Sequence, residues 1–165
     1  MLSNEIIKTY EDILIEELQV AMGCTEPIAI AYAASIARDA LGELPDKIVV
    51  SLSGNIIKNV KSVIVPSTGG MHGIESAVAA GVISGRYDLK LELLSALDEN
   101  DILKIQNYKE NTQIVLDELD SPCNFDLLIY AEANTSCVQV RISDYHTNIV
   151  SVLKDKIDLT ENKSN

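Results

Sequence analysis

Residues 23–41, GCTEPIAIAYAASIARDAL, decide the fold because they predict a helix that is apolar on nearly every side. The predicted helix, Pro27–Ala40, carries no charged residue before Arg38. A helix without a polar face normally lies inside a protein, so this one is expected at the centre of the fold. Its many alanines permit close packing against neighbouring elements, and Gly42 is typical of a C-terminal helix cap.

The start of this helix is set by Pro27, which keeps Glu26 out of helical geometry and makes Glu26 or Thr25 the expected N-cap. Cys24 then lies near the positive end of the helix dipole, where a thiolate is favoured. A thiolate at this position is able to act as a nucleophile or as a metal ligand. The alternative is a small buried residue in a turn between two helices, which is a common place for a free cysteine.

The whole chain divides into an N-terminal part, residues 1–85, which is mainly helical, and a smaller α/β unit, residues 86–155. A polar tail, residues 156–165, follows and is expected to be frayed. In the first part, the hydrophobic pattern predicts helices over 4–21 and 73–83, a strand over 47–52, a turn over 53–55 and a loop over 66–70. Residues 56–65 have the apolar spacing of a helix, which is favoured, although their β-branched content is typical of a strand. In the second part, it predicts a helix over 100–110 and strands over 114–116, 125–133, 138–142 and 149–153, with a hairpin turn at 134–136. The expected fold class is therefore α+β, with a mixed or antiparallel sheet.

Composition narrows the range of partners. The 165 residues carry a formal net charge of −12, which disfavours nucleic acid and anionic membranes as partners. No apolar stretch reaches transmembrane length, and the N-terminus has no signal-peptide pattern. Three cysteines without framework spacing are typical of a reducing cytoplasm, and Cys123 and Cys137 are expected to be structural.

Two short segments contain the donors that a small carboxylate needs. Ser53, Asn55 and Lys58 offer a hydroxyl, an amide and an ammonium group within six residues, although an ordinary turn has the same composition. The loop 67–70, which contains Thr68, precedes a predicted helix and is suited to binding an anion through its backbone amides.

Two further side chains are candidates for acid–base chemistry. His146 is one of two histidines and would act as an acid or base, orient a substrate, or simply end a strand. For Glu26, a structural role at the helix start is favoured over a role as a catalytic acid.

Three motifs in this order resemble the N-terminal part of the L-cysteine desulfidase family, which is related to the iron–sulfur L-serine dehydratase α subunit. They are Gly23-Cys24-Thr25-Glu26-Pro27, the segment from Ser53 to Gly69, and His146-Thr147-Asn148-Ile149. The resemblance implies a [4Fe-4S] cluster held by three cysteines, with one iron open to substrate and Cys24 as the first ligand. It also implies that Ser53, Asn55, Lys58 and Thr68 bind substrate and that His146 is catalytic.

The functional prediction follows from this resemblance. Family proteins are more than twice as long as this chain and carry the other two cluster ligands in their second half, so the chain is expected to be an N-terminal fragment or one subunit of an iron–sulfur lyase. The whole enzyme would convert L-cysteine or L-serine to pyruvate and ammonia, with sulfide released from cysteine. The alternative is a non-catalytic small-molecule-binding or assembly module that lacks the cluster.

The chain on its own is expected to hold no cluster and to be inactive. Its expected partners are a small amino-acid substrate and the missing C-terminal half or partner subunit. It is also expected to form a homo-oligomer, because the surface of residues 28–37 would be left partly bare.

Overall fold

The computed structural model describes residues 6–11 and 23–163. Residues 6–11 are helical, and the remainder of the helix predicted over 4–21 lies outside the described residues. The helices that follow are α1 (Thr25–Leu41), α2 (Gly54–Val60), α3 (Ile74–Ser84), α4 (Glu99–Asn111) and α5 (Thr160–Lys163), with a 3-10 segment over Tyr87–Ala96. The strands are β1 (Lys47–Leu52), β2 (Gln113–Glu118), β3 (Asp126–Ala133), β4 (Ser136–Ser143), β5 (Ile149–Lys154) and β6 (Ile157–Asp158).

The six strands form one mixed sheet in the order β2-β1-β3-β4-β5-β6. β1 lies inside the sheet, parallel to β2 on one side and antiparallel to β3 on the other, so that Val49 is aligned with both Val115 and Tyr130. β3, β4, β5 and β6 continue as an antiparallel meander. The predicted α+β class is confirmed. Because β1 precedes residue 85 and its neighbours follow it, the sheet crosses the predicted domain boundary.

α1 forms the centre of the structure, as its sequence predicts. It packs on β3 and β4 on one side and against α3 and the 3-10 segment on the others, and every residue from Ile28 to Ala37 is buried. The expectation that this surface would be partly bare is therefore wrong, since the chain covers it with its own elements.

The contact between α1 and α3 depends on Gly81. A Cβ atom placed on Gly81 would lie 2.0 Å from the carbonyl oxygen of Ala31, so the two helices meet backbone to backbone. The small residues of α1 thus allow an approach that larger side chains would prevent.

The ends of the elements differ from the prediction in two places. α1 begins at Thr25 with Cys24 as its N-cap, which places Pro27 in the first turn, where its missing N–H costs nothing. The segment after β1 is not a turn but the short helix α2, which ends at Val60. Gly42 caps α1 as expected, with φ 87° and a hydrogen bond from its N–H to the carbonyl of Arg38 at 2.9 Å.

The described part of the C-terminal tail is ordered against the body of the protein. β6 pairs with β5, and Lys163 pairs with Asp39 while its ammonium lies 4.6 Å from the centre of the Tyr87 ring. The prediction of a frayed tail is wrong over 157–163, because the polar residues find partners on α1 and the 3-10 segment. Across residues 6–11 and 23–163, no helix is both long and apolar enough to cross a bilayer.

Candidate functional site

The three sequence motifs meet at one end of the sheet, where β1 ends, β3 begins and β4 ends. Ser53, just past β1, donates its N–H to the carbonyl of Asp126 at 2.9 Å, which ties the start of α2 to β3. The loop after β4 carries His146, whose ring lies 4.5 Å from that of Phe125. The N-terminus of α1 adds Cys24 and Glu26 to the same end.

Glu26 joins two of these motifs. Its carboxylate accepts hydrogen bonds from the Cys24 thiol at 3.1 Å and from the Asn59 amide at 3.4 Å. Burial acts to raise the pKa of Glu26, but the hydrogen bonds from Cys24, its own backbone and Asn59, together with the charge of His146, outweigh burial and lower it. Glu26 is therefore an anion at neutral pH, held in place from both sides.

Cys24 behaves differently from the sequence prediction. Its pKa is raised, first by burial and then by the hydrogen bond to Glu26, while the backbone N–H of Glu26 acts in the opposite direction. This direction is opposite to the expectation that the helix dipole favours a thiolate, because burial and then the hydrogen bond to Glu26 both favour the protonated thiol. At rest Cys24 is a protonated thiol that donates to Glu26.

His146 is the least satisfied polar side chain of the site. Its Nε2 atom is closed off from solvent and has no hydrogen-bond partner among the described residues. Burial lowers the pKa of His146, and the Glu26 carboxylate partly offsets this effect. A buried polar atom without a partner costs free energy, so it commonly marks a place where a ligand or a reaction requires it.

Asp126 forms a buried ion pair with Arg141 next to this cluster. Its carboxylate is fully buried and receives both guanidinium hydrogen bonds of Arg141, at 3.0 and 2.7 Å, together with the hydroxyl of Ser121 at 2.6 Å. Burial acts to raise the pKa of Asp126, but these hydrogen bonds and the charge of Arg141 lower it. The ion pair holds the start of β3, and hence the neighbouring Phe125 under the His146 ring.

The predicted substrate-binding residues separate into two groups. Ser53 and Thr68 are buried, and their hydroxyl groups donate to the carbonyls of Asn124 at 2.9 Å and Val65 at 2.7 Å. Asn55 and Lys58 are exposed on α2. The role of these four residues in binding a substrate stays a prediction.

Two residues of the site have no counterpart in the sequence prediction. Asn59 reaches Glu26, and it lies one turn of α2 beyond Asn55 within the same motif. Phe125 stacks on His146 and is the single phenylalanine of the chain. The sequence signal that could have identified Phe125 is that it is the single phenylalanine of a chain whose core is otherwise mostly aliphatic.

Comparison with known proteins gives a consistent set of relatives. A protein from Desulfitobacterium hafniense is 50% identical over 90% of this chain, one from Finegoldia magna is 46% identical over 92%, and one from Treponema denticola is 42% identical over 88%. These relatives are UPF0597 proteins. The chain spans about a third of their length, since the matches cover 34%, 37% and 34% of the three proteins. No family model matches the chain, and no solved structure matches it.

These relatives overturn the assignment made from the motifs. The identification as an L-cysteine desulfidase is wrong, because the relatives consistently carry the UPF0597 name, which states no activity. The predicted function as part of an iron–sulfur lyase acting on L-cysteine or L-serine is wrong for the same reason. Within residues 6–11 and 23–163, moreover, no group of three or more His, Cys, Asp or Glu side chains is arranged to hold a metal ion.

Proposed function

We propose that the cluster of Cys24, Glu26, Asn59 and His146 is an acid–base site that moves a proton on a small polar substrate. The observation that carries this proposal is the buried Nε2 of His146, which has no partner in the described residues and lies beside the charged Glu26. A neutral imidazole nitrogen and a protonated thiol around one carboxylate form a base and an acid in a single cluster.

His146 is the base in this proposal. Because burial lowers its pKa, the ring is neutral at neutral pH and is able to accept a proton on an unoccupied nitrogen. The imidazolium that forms is then stabilised by the Glu26 carboxylate. A pKa at or below the working pH keeps the base in its reactive form.

Cys24 is the acid. Its raised pKa keeps the thiol protonated until a substrate atom takes the proton, and the thiolate left behind lies at the N-terminus of the 17-residue helix α1. After transfer, His146 holds the proton taken from the substrate, and Cys24 lacks the proton that it gave to the substrate. A proton returned from His146 to Cys24, through Glu26 or water, restores the resting state without net loss or gain.

The substrate is proposed to be the size of an amino acid and to carry a carboxylate. Asn55 and Lys58 on the exposed side of α2, together with the N-terminus of α1, supply donors and positive charge at this end of the sheet. A cytoplasmic location is part of the proposal. It is supported by the three unpaired cysteines, since thiols persist in a reducing compartment.

The test is exchange of a carbon-bound proton with solvent. The protein is incubated in deuterium oxide with a panel of amino acids and hydroxy acids, and loss of the Cα–H signal is followed by proton NMR. We expect exchange with at least one compound, and a rate lower by about 10²-fold or more in His146→Gln and Cys24→Ala.

The matched controls are His72→Gln and Cys137→Ala, which replace the exposed histidine and a cysteine at the far end of β4. Both are expected to exchange at the wild-type rate. An unchanged rate in folded His146→Gln, or no exchange with any compound of the panel, contradicts the proposal.

A further inference from the structure

A cavity lies between the loop 68–71 and one face of α4, apart from the Cys24–His146 cluster. Its volume is about 310 Å³, which is at the small end of the range for ligand sites. Gly69 and Gly70 form one wall, and Gln106 and Lys109 of α4 form the other, with Glu110 at the rim. Neither Cys24 nor His146 contributes to its lining.

Lys109 brings a positive charge to this cavity without a counter-charge. It is half-buried, and within the described residues it forms no ion pair. Its ammonium lies 3.3 Å from the hydroxyl oxygen of Ser76, which gives its own hydrogen to the carbonyl of His72 at 2.8 Å. One neutral acceptor satisfies only part of an ammonium group, which has three hydrogens to donate.

The loop opposite adds backbone donors. Gly69 and Gly70 are successive residues with φ of 69° and 95°, a conformation that glycine adopts without strain. Neither N–H donates to any acceptor in residues 6–11 or 23–163. Backbone N–H groups without an acceptor at the edge of a cavity are able to donate hydrogen bonds to an anion bound there.

Together the cavity presents an excess of donors over acceptors. Gly69 and Gly70 with their two backbone N–H groups, the Lys109 ammonium and the amide of Gln106 line an open cavity that contains a single carboxylate, that of the exposed Glu110. That carboxylate limits how much negative charge a ligand is able to bring, which disfavours a polyanion.

We infer that this cavity binds a small oxyanion, a carboxylate or a phosphate group, between the amides of Gly69 and Gly70 and the ammonium of Lys109. Charge-assisted hydrogen bonds supply the affinity, and the size of the cavity restricts the ligand to a small metabolite. This site is independent of the proposed acid–base site.

The test uses the amide signals of Gly69 and Gly70 in a nitrogen–proton correlation NMR spectrum. Acetate and inorganic phosphate are titrated separately at constant ionic strength, with chloride as the reference anion. We expect saturable shifts of both amide signals with at least one oxyanion. The oxyanion with the lower dissociation constant, acetate or phosphate, identifies the ligand group as a carboxylate or a phosphate.

The charge on Lys109 is tested with two variants of α4. Lys109→Gln is expected to weaken binding by about tenfold or more, because it removes a charge-assisted hydrogen bond. Lys104→Gln, on the same helix but paired with Asp101 outside the cavity, is expected to bind as the wild type does. Shifts that do not saturate with either oxyanion, or wild-type affinity in folded Lys109→Gln, overturn the inference, whereas His146→Gln is expected to leave this binding unchanged.

Discussion

Replacing Gly81 by alanine is expected to separate the two helices at the centre of the protein. The new Cβ would stand 2.0 Å from the carbonyl oxygen of Ala31, about 1.4 Å short of ordinary van der Waals contact. Both sides of the contact are helical backbone, so no side chain is able to rotate away. Overpacking of this kind costs about 1–3 kcal/mol, and a rigid contact belongs at the upper end, whereas alanine regains about 1 kcal/mol of helix propensity. The net expectation is a loss of about 2 kcal/mol in the free energy of unfolding.

The assay is urea unfolding followed by far-UV circular dichroism, with Gly54→Ala as the control. A Cβ on Gly54 would also make a close contact, at 3.0 Å, but with the carboxylate of Glu118, which is exposed and free to move. That variant is expected to stay within about 0.5 kcal/mol of the wild type. The reasoning is refuted if Gly81→Ala is as stable as Gly54→Ala.

Three further predictions concern the charges of the site. Cys24→Ala is expected to raise the pKa of Glu26, because it removes a hydrogen bond to the carboxylate, and carbon-13 NMR of the side-chain carboxyl measures the change. Glu26→Gln is expected to lower the pKa of His146 further below its ordinary value, as followed by proton NMR of the ring, since burial then acts without the opposing carboxylate. Arg141→Gln is expected to cost about 2 kcal/mol or more at neutral pH, because it leaves the buried Asp126 charge without its partner. The pKa of Asp126 is lower in the folded protein than in the unfolded chain, so the pair stabilises above about pH 4 and its contribution disappears as the pH falls through the folded pKa. The deficit of Arg141→Gln in urea unfolding should therefore shrink in acid, and a constant deficit would contradict the assignment.

The elements of the fold that the sequence predicts best are those whose signals are local. The apolar run of α1 and Gly42 are sufficient to place a buried helix and its left-handed cap. The hairpin of β3 and β4 is likewise evident from two alternating runs around a short polar turn. The helix over Gly54–Val60 is predicted in part: its apolar spacing favours a helix over 56–65 although the segment is rich in β-branched residues, and tertiary packing of Ile56 and Val60 outweighs intrinsic propensity.

The parts that the sequence does not predict are those that depend on distant partners. β1 pairs with a strand that begins at Gln113, and nothing within residues 47–52 specifies that neighbour. The protonated state of Cys24 follows from its burial and from the hydrogen bond to Glu26, neither of which the motif determines. The loop 67–70 is recognisable in the sequence as a possible anion site, but Lys109 meets Gly69 and Gly70 from a helix that starts almost thirty residues later, so the sequence does not predict this partner.

The position of β1 between two later strands has a consequence for biosynthesis. α1 and β1 leave the ribosome roughly 70 to 100 residues ahead of β3 and β4, the strands that complete their burial. At a translation rate of roughly 5–20 residues per second, this delay amounts to several seconds. During that interval α1 has α3 and the 3-10 segment to pack on but not the sheet, so its sheet-facing side is uncovered and a trigger-type chaperone at the exit tunnel is the natural temporary cover. Arrested nascent chains that stop before residue 126 should therefore recruit such a chaperone, and chains extended well beyond residue 143 should release it.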